Sequence, residues 1–345
     1  MSSSVQVASS SINRTNLDER VCPKCHSSLD VVSSSIVCGH CGHSFLTIAG
    51  IPDLRLFPDR YLSMNAERAK ADRLAAIAGD GDLSSLSSAY YAMTEDVDAL
   101  RRRRFQAHIL AAEDRGEALA DRLQRDEHVL EVGCGTGGLL LAARRRGIRI
   151  QGVDIGLRWL VFGRKRLAEG SRTSLGDDQI PDDILTAANA EALPWPDSSF
   201  DCVVADSVLE HLEDPLASLA EWRRVVRPGG RLLLWSPNRF SLLSDPHVGL
   251  WGVGWLPRSL QATYVRSRRG CRWPVQLRSA LEAARMIQSS GWTVHNVQAA
   301  PVPGPSRGRT LLRLYDRVRC LPILGETLRE FGPLWQIVAR REGRS

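Results

Sequence analysis

Short runs rich in apolar residues alternate with longer segments of helical periodicity between residues 129 and 235. Apolar runs are typical of strands covered on both faces, and strands that alternate with helices form parallel sheets. The runs predict five strands, at residues 129–132, 148–154, 183–188, 200–206 and 231–235. The sequence therefore predicts an α/β fold built on a doubly wound, mostly parallel sheet.

A glycine-rich turn, Gly133-Cys134-Gly135-Thr136-Gly137-Gly138, follows the first predicted strand and leads into a helical run. Glycine allows the backbone to approach a nucleotide-like ligand closely. Glu131 lies inside the strand, where an unpartnered carboxylate is costly, so we expect a polar or cationic group above the strand end. Asp154 lies 21 residues beyond Gly133, the separation at which a carboxylate meets ribose hydroxyls in βαβ nucleotide folds. By itself this pattern also fits a dinucleotide-binding dehydrogenase.

Two Cys-x-x-Cys pairs separated by twelve residues lie near the start of the chain: Cys22, Cys25, Cys38 and Cys41. Four thiolates in this arrangement suit a tetrahedral Zn²⁺ ion, with Zn–S distances of ~2.3 Å. In a reducing compartment a metal is favoured over disulfides. We therefore expect a structural zinc ion, which would hold together a module too small to bury much of a core.

Composition and charge restrict the class of protein. Apolar residues make up 43% of the chain and charged residues 24%, the balance of a soluble globular protein. The first twenty residues lack the apolar segment of a signal peptide, and no apolar run reaches the roughly 18 residues of a transmembrane helix, so we expect a cytoplasmic protein. Residues 241–345 carry 16 arginines, no lysine and six acidic residues, which suits phosphates, nucleic acid or an anionic surface, or else a solvated basic face.

Five motifs follow one another along the predicted α/β region. They are Glu131-x-Gly133-x-Gly135-x-Gly137, Asp154, Asn189-Ala190-Glu191-x-Leu193-Pro194, Leu209-Glu210-His211 and Arg227-Pro228-Gly229-Gly230. Together they resemble the class I S-adenosylmethionine-dependent methyltransferases, most closely the type 11 or ubiquinone-biosynthesis-like group, over roughly residues 90–240 and the end of the chain. The resemblance implies a seven-stranded sheet with its last strand at residues 334–340, and S-adenosylmethionine as cofactor. Glu131 and the later motifs favour this family over dehydrogenases.

The cysteine module resembles the zinc ribbon that precedes many bacterial methyltransferase domains. The expected organisation is a disordered tail at residues 1–18, a zinc ribbon at 19–57, a helical linker and candidate lid at 58–95, and a methyltransferase domain at 96–345. An insertion at residues 238–274 follows the fifth strand, where this family often builds its substrate lid. A late helix at 275–290 and a strand at 292–297 are expected beyond it.

The resemblance assigns cofactor contacts to nine residues: Glu131, Gly133, Cys134, Gly135, Asp154, Ile155, Asn189, Ala190 and Ser207. The glycines would let the backbone approach the methionine part of the cofactor, and Glu131 would order its ammonium end. Asp154 would accept from both ribose hydroxyls, while Ile155 and Ala190 would contact adenine. Asn189 replaces the aspartate most common in this group, but its oxygen can still accept a bond from the adenine amino group.

Methyl transfer from a sulfonium is an in-line displacement, in which the protein aligns the nucleophile and removes its proton where needed. His211 and His247 are candidate bases because imidazole titrates near neutral pH. We expect a methyltransferase that acts on a small molecule or a glycan- or lipid-linked precursor, at oxygen or carbon. The alternative is an RNA methyltransferase that uses the ribbon and the basic C-terminal third to bind RNA. The intact cofactor motifs disfavour a catalytically silent partner protein.

Overall fold

The main domain contains the seven strands expected for it: β5 (His128–Val132), β6 (Arg149–Asp154), β7 (Leu185–Ala187), β8 (Phe200–Asp206), β9 (Val226–Pro237), β10 (Thr293–Ala299) and β11 (Leu334–Arg340). They lie in the order β7-β6-β5-β8-β9-β11-β10. Strands β5 to β9 pair in parallel, whereas β11 runs antiparallel between β9 and β10. The prediction of a doubly wound, mostly parallel α/β sheet is confirmed.

The computed structural model describes residue 17 and residues 19–32, 35–79, 81–94, 97, 99–174, 184–273, 275–302 and 309–343. The predicted N-terminal tail, apart from Leu17, lies outside these residues. The helices in the described ranges are α1 (Met64–Ala78), α2 (Leu83–Ala92), α3 (Ala99–Leu110), α4 (Ala112–Ala120), α5 (Gly138–Arg145), α6 (Leu157–Ser174), α7 (Pro215–Val225), α8 (Arg258–Arg269), α9 (Ala280–Ser289), α10 (Arg309–Val318) and α11 (Pro322–Phe331). None of these described helices combines the length and the apolar character that crossing a bilayer requires.

Alternate side chains of β5 and β8 face two hydrophobic cores. Val129 and Val204 pack in one core with α1, α2, α5 and α6, and Leu130 and Val203 pack in the other with α7 and α9. The cores lie on opposite faces of the sheet because successive residues of a strand point to opposite faces. Helices therefore cover both faces of the parallel strands.

The cysteine module folds as four short strands that extend the same sheet. They are β1 (Leu29–Val32), β2 (Ser35–Cys38), β3 (Ser44–Ile48) and β4 (Ile51–Asp53), paired antiparallel in sequence order. Strand β4 pairs in parallel with β7 through Asp53 and Ala187, and Leu54 N donates to Ala187 O at 2.8 Å. Ile36 and Phe45 are buried in a small core of the module's own. The module is thus joined edge to edge with the main domain.

Two predicted boundaries differ from the structure for local reasons. The fifth strand, expected at residues 231–235, already begins at Val226, because Gly229 N donates to Arg341 O at 2.7 Å and draws the preceding motif into the sheet. The late helix, expected from residue 275, begins at Ala280, because Ser279 caps it in a capping box. The strand expected at residues 292–297 is β10, and the last strand is β11 as predicted.

Candidate functional site

A cavity of about 600 Å³ opens at the carboxyl ends of the central strands, the edge where open α/β sheets bind their ligands. Strand β5 contributes Glu131 to its wall, β6 contributes Asp154 and β8 contributes Asp206. Apolar side chains from α3, α4 and the insertion line other parts of the wall: Phe105, Ile109, Leu119, Leu243, Leu250 and Trp255. The cavity therefore combines an acidic edge with apolar surface.

The glycine-rich turn lines this cavity and is fastened to β6. Gly133 N donates to Val153 O at 2.8 Å, and Gly135 N donates to Asp154 Oδ2 at 2.9 Å. Gly133 has a φ of +72°, and a Cβ atom there would lie 2.2 Å from a methyl group of Val208. Only glycine fits this position without strain, so the backbone itself forms the wall.

Three carboxylates meet at the acidic edge. Glu131 is 6% exposed, and its Oε2 has no hydrogen-bond partner among the described residues. Burial raises the pKa of Glu131 well above its ordinary value, the charges of Asp206 and Asp154 raise it further, and the Arg115 guanidinium opposes this. Burial also raises the pKa values of Asp154 and Asp206. A cationic ligand would stabilise the ionised forms, so the edge favours positive charge.

Asp154 is oriented by the backbone on both sides of it. Its Oδ1 accepts from Gly156 N at 2.7 Å, and its Oδ2 accepts from Gly135 N at 2.9 Å. A carboxylate has about four acceptor positions, so each oxygen can take a further hydrogen bond. This arrangement suits a vicinal diol such as that of ribose.

The structure corrects the role expected of Asn189. Its side chain is fully buried and does not line the cavity. Its Oδ1 accepts from Leu56 N at 2.8 Å and from Phe57 N at 3.4 Å, and its Nδ2 donates to Phe57 O at 3.1 Å. Backbone groups of the chain leaving the cysteine module therefore engage this side chain, which contacts that segment instead of the cavity.

The remaining candidate cofactor residues separate into two groups. Cys134 and Ser207 line the cavity, whereas Ile155 and Ala190 are not among its described lining residues. Burial raises the pKa of the Cys134 thiol well above its ordinary value, which keeps the thiol neutral. The carbonyl of Ile155 accepts from Arg55 Nη1 at 3.0 Å, so the chain leaving the cysteine module reaches this loop too.

The two candidate bases, His211 and His247, are brought together at one side of the cavity. Their ring centroids lie 5.2 Å apart, and His211 lines the cavity. Glu210 Oε1 lies 3.8 Å from His247 Nε2, and Asp245 Oδ1 lies 3.5 Å from His247 Nδ1. Ser236 Oγ donates to Glu210 Oε2 at 3.0 Å. The four titratable side chains therefore form one cluster.

The environment shifts the pKa values of Glu210, His211 and His247 in different directions. Burial lowers the pKa of His211 to about 3, and the neighbouring His247 adds to this effect. Burial raises the pKa of Glu210 to about 7, although His247 opposes the shift. Burial alone would lower the pKa of His247, but Asp245 and Glu210 raise it. His211 is therefore a neutral imidazole at neutral pH, whereas the surroundings of His247 raise its pKa and favour its protonated form.

The sequence reasoning missed Asp206, Arg115 and Asp245 as site residues. Asp206 could have been found because it ends a predicted strand, and strand ends meet at the ligand edge. Arg115 lies on α4, and Asp245 lies in the insertion. No periodicity indicated which side of the main domain these segments cover.

The four cysteines of the N-terminal module lie together, with their Sγ atoms all within 4.8 Å of one another. Cys22 Sγ lies 3.7 Å from Cys41 Sγ, and Cys25 Sγ lies 3.4 Å from Cys38 Sγ. Ligands at ~2.3 Å from a tetrahedral zinc ion would be about 3.8 Å apart. None of the four is in a disulfide, so the thiols fit a zinc site.

The chain is similar in sequence to known methyltransferases. Residues 130–234 match the family model described as a methyltransferase domain. The chain is 39% identical to the ubiquinone/menaquinone biosynthesis C-methyltransferase UbiE of Hahella chejuensis, over 35% of this chain and 45% of that protein. It is 32% identical to the demethylmenaquinone methyltransferase of Renibacterium salmoninarum, over 48% of this chain and 67% of that protein.

A solved structure from Thermotoga maritima, described as a SAM-dependent methyltransferase and possible histamine N-methyltransferase, aligns with a TM-score of 0.43. Its identity is 16%, over 70% of this chain and 95% of that chain. This similarity carries no argument about function. The chain spans less than half the length of the first curated relatives it matches, between 32% and 45%.

Proposed function

The chain belongs to the family of S-adenosylmethionine-dependent methyltransferases, and on that premise we propose that it transfers the methyl group of S-adenosylmethionine to an acceptor held beside His211. The observation that carries the proposal is the buried carboxylate of Glu131 beside the glycine-rich turn, whose Oε2 has no hydrogen-bond partner among the described residues. A ligand with ammonium and sulfonium charges and a ribose diol matches Glu131, Asp206 and Asp154 together. A dinucleotide would instead bring an anionic pyrophosphate towards these acids.

The proposed cofactor site uses residues already described. When bound, S-adenosylmethionine supplies an electrophilic methyl group. Glu131 would pair with its ammonium end, and Gly133 and Gly135 would allow the backbone to approach the methionine part. Asp154 would accept from the ribose hydroxyls. The remaining proposed contacts are Cys134 and Ser207 on the cavity wall, and Ile155 and Ala190 on the adenine side.

We propose an acceptor with an apolar body, either a small molecule or a lipid- or glycan-linked precursor, methylated at oxygen or carbon. The apolar wall formed by side chains such as Phe105, Leu250 and Trp255 supports this class. The relatives reported above are named for ubiquinone and menaquinone biosynthesis, so a quinone precursor is the first acceptor to test. Those relatives give the RNA alternative no support.

His211 and His247 are the proposed side chains nearest the acceptor. His211 and Asp245 are the members of the cluster that line the cavity, so His211 is the imidazole expected to contact the acceptor directly. Acceptance of a proton by either imidazole stays a prediction. For the ribbon, we propose that the four cysteines hold a structural Zn²⁺ ion and take no part in methyl transfer.

Methyl transfer to cell extract tests this function. The protein is incubated with extract and S-adenosylmethionine labelled in the methyl group, and the products are separated into RNA, lipid and small molecules. We expect the label in the lipid or small-molecule fraction, lost in the variant Asp154→Ala. The control Asp126→Ala, at an exposed aspartate, should retain transfer. Label confined to RNA would contradict the proposed acceptor class, and failure to bind S-adenosylmethionine would contradict the function itself.

A further inference from the structure

We propose that Glu210, His211 and His247 bind a divalent transition-metal ion at the acceptor side of the cavity, distinct from the thiolate site of the ribbon. One ligand atom of each residue lies within 4.8 Å of the other two. Two imidazoles and one carboxylate form a donor set that holds Zn²⁺, Fe²⁺ and related ions while leaving coordination positions open. The binding of the ion stands on the geometry alone, whereas its use in methyl transfer rests on the proposed function.

Glu210 provides the first argument for an ion. Its side chain is fully buried, and its Oε1 has no hydrogen-bond partner in the described part of the chain. Such an atom is costly unless something compensates it. Ser236 orients the carboxylate through the other oxygen at 3.0 Å. Arg278 interacts with Glu210 electrostatically but gives this oxygen no hydrogen bond, and its Nη1 donates to the carbonyl of Leu209 at 3.0 Å.

The spacing between Glu210 and His247 provides the second argument. Glu210 Oε1 and His247 Nε2 are 3.8 Å apart, which is too long for a direct hydrogen bond. An ion about 2.0–2.2 Å from each donor would bridge roughly 3–4 Å. The 3.8 Å separation therefore fits two ligand atoms of one metal ion better than a direct hydrogen bond between Glu210 and His247.

Asp245 provides the third argument, because it lies on the far side of the His247 ring. Its Oδ1 is 3.5 Å from His247 Nδ1 and is fixed by the backbone amides of His247 and Val248, at 2.8 and 3.0 Å. Histidines that bind metals commonly direct their second ring nitrogen to a carboxylate, which sets the tautomer. At 3.5 Å from Nδ1 the contact of Asp245 with the ring is electrostatic and not a hydrogen bond, and Nε2 is the ring nitrogen on the side of Glu210.

The position of His211 would place the ion beside the acceptor. His211 lines the cavity, so an ion bound to it would present open coordination positions to the acceptor. A divalent cation there stabilises negative charge on an oxygen. This favours an acceptor that reacts at a hydroxyl, and thus oxygen rather than carbon as the methylated atom.

Metal content of the purified chain, with the cysteine module included, tests the proposal. The purified chain is equilibrated with Zn²⁺, freed of loose metal, and its zinc is counted per chain by mass spectrometry. We expect two ions in the wild type, one in Glu210→Gln and one in Cys22→Ser. The control His295→Asn, at an exposed histidine on β10, should keep two. His247→Asn serves as a second variant should Glu210→Gln fail to fold, and Asp245→Asn should weaken zinc binding at this site roughly 10- to 100-fold.

Titration with S-adenosylmethionine on the same samples separates the two hypotheses. Two ions in the wild type with one in the folded Glu210→Gln protein support the metal site. One ion in a wild type that binds S-adenosylmethionine, kept by Glu210→Gln and lost from Cys22→Ser, overturns the metal site and leaves the proposed function standing. Two ions retained by both Glu210→Gln and His247→Asn would also overturn it. A protein that holds two ions but does not bind S-adenosylmethionine would contradict only the proposed function.

Discussion

Asn189 binds the backbone of Leu56, the residue by which the chain leaves the cysteine module: its Oδ1 accepts from Leu56 N at 2.8 Å, and its Nδ2 donates to Phe57 O at 3.1 Å. An amide suits this contact because it offers one acceptor and one donor. The aspartate that the family most often has here would bring a carboxylate against the Phe57 carbonyl. The departure of this chain from the family pattern therefore has a structural reason, the docking of the ribbon.

Replacement of Asn189 by aspartate tests this reason. Asn189→Asp should reduce the free energy of unfolding by about 1–3 kcal/mol at neutral pH. The substitution removes a buried hydrogen-bond donor and places a carboxylate oxygen against the carbonyl oxygen of Phe57. Denaturant unfolding measures the change. Asn296→Asp, at an exposed asparagine of β10, is the matched control and should change little. Equal stability of the two variants would show that the Asn189 contact is unimportant.

Loss of the ribbon's metal should weaken cofactor binding. The segment that leaves the ribbon contacts Ile155 and Asn189, the loops on the proposed adenine side. Cys22→Ser removes one thiolate without touching the Glu210 cluster, and we expect roughly tenfold weaker binding of S-adenosylmethionine, the worth of one or two hydrogen bonds of about 1 kcal/mol each. Calorimetric titration checks this.

Cys320→Ser, at an exposed cysteine outside the ribbon, is the control for that experiment and should bind the cofactor normally. Unchanged affinity in a Cys22→Ser protein that has lost its zinc would contradict the coupling between ribbon and cofactor site.

The central sheet could be predicted from sequence, because apolar runs report burial and Asp154 ends one of them. The contacts of Asn189 could not, since they join residues 133 positions apart and depend on the docking of β4 onto β7. The contact between His211 and His247 could not be predicted from the sequence either. Each histidine was a candidate by its chemistry, but the path of the insertion decides that they meet.

Glu131 should destabilise the protein without its ligand, in a pH-dependent way. Because its pKa is raised by folding, the folded chain holds a proton that the unfolded chain releases near pH ~4.3. The loss of unfolding free energy caused by Glu131 is absent below that pH, and it grows as the pH rises through the folded-state pKa. Glu131→Gln should therefore melt at a higher temperature than the wild type near neutral pH, with the difference shrinking in acid.

The same Glu131→Gln protein should bind S-adenosylmethionine roughly 10- to 100-fold more weakly, the worth of a hydrogen bond to a charged group. Thermal melts across pH and a cofactor titration measure the two effects. Glu326→Gln, at an exposed glutamate, should show neither. A Glu131→Gln protein that is less stable, or that binds the cofactor as tightly as the wild type, would rule out this role.

Gly138 allows α4 to lie directly against the first turn of α5. A Cβ atom there would be 2.0 Å from Ala112 O, and one at Gly116 would be 2.3 Å from Gly138 O. Both neighbours are backbone, which cannot move aside cheaply. Gly138→Ala should therefore cost about 1–3 kcal/mol of unfolding free energy, measured with denaturant. Gly79→Ala, where a Cβ atom meets nothing within 4 Å, should be neutral or slightly stabilising, and equal effects would refute the close approach.

The central claim is that the acidic edge at Glu131, Asp154 and Asp206 binds S-adenosylmethionine. The most direct measurement is calorimetric titration of the purified protein with S-adenosylmethionine and, separately, with a nicotinamide dinucleotide. We predict saturable binding of S-adenosylmethionine that Asp154→Ala weakens at least tenfold, with no binding of the dinucleotide. Tight binding of the dinucleotide without binding of S-adenosylmethionine would contradict the account.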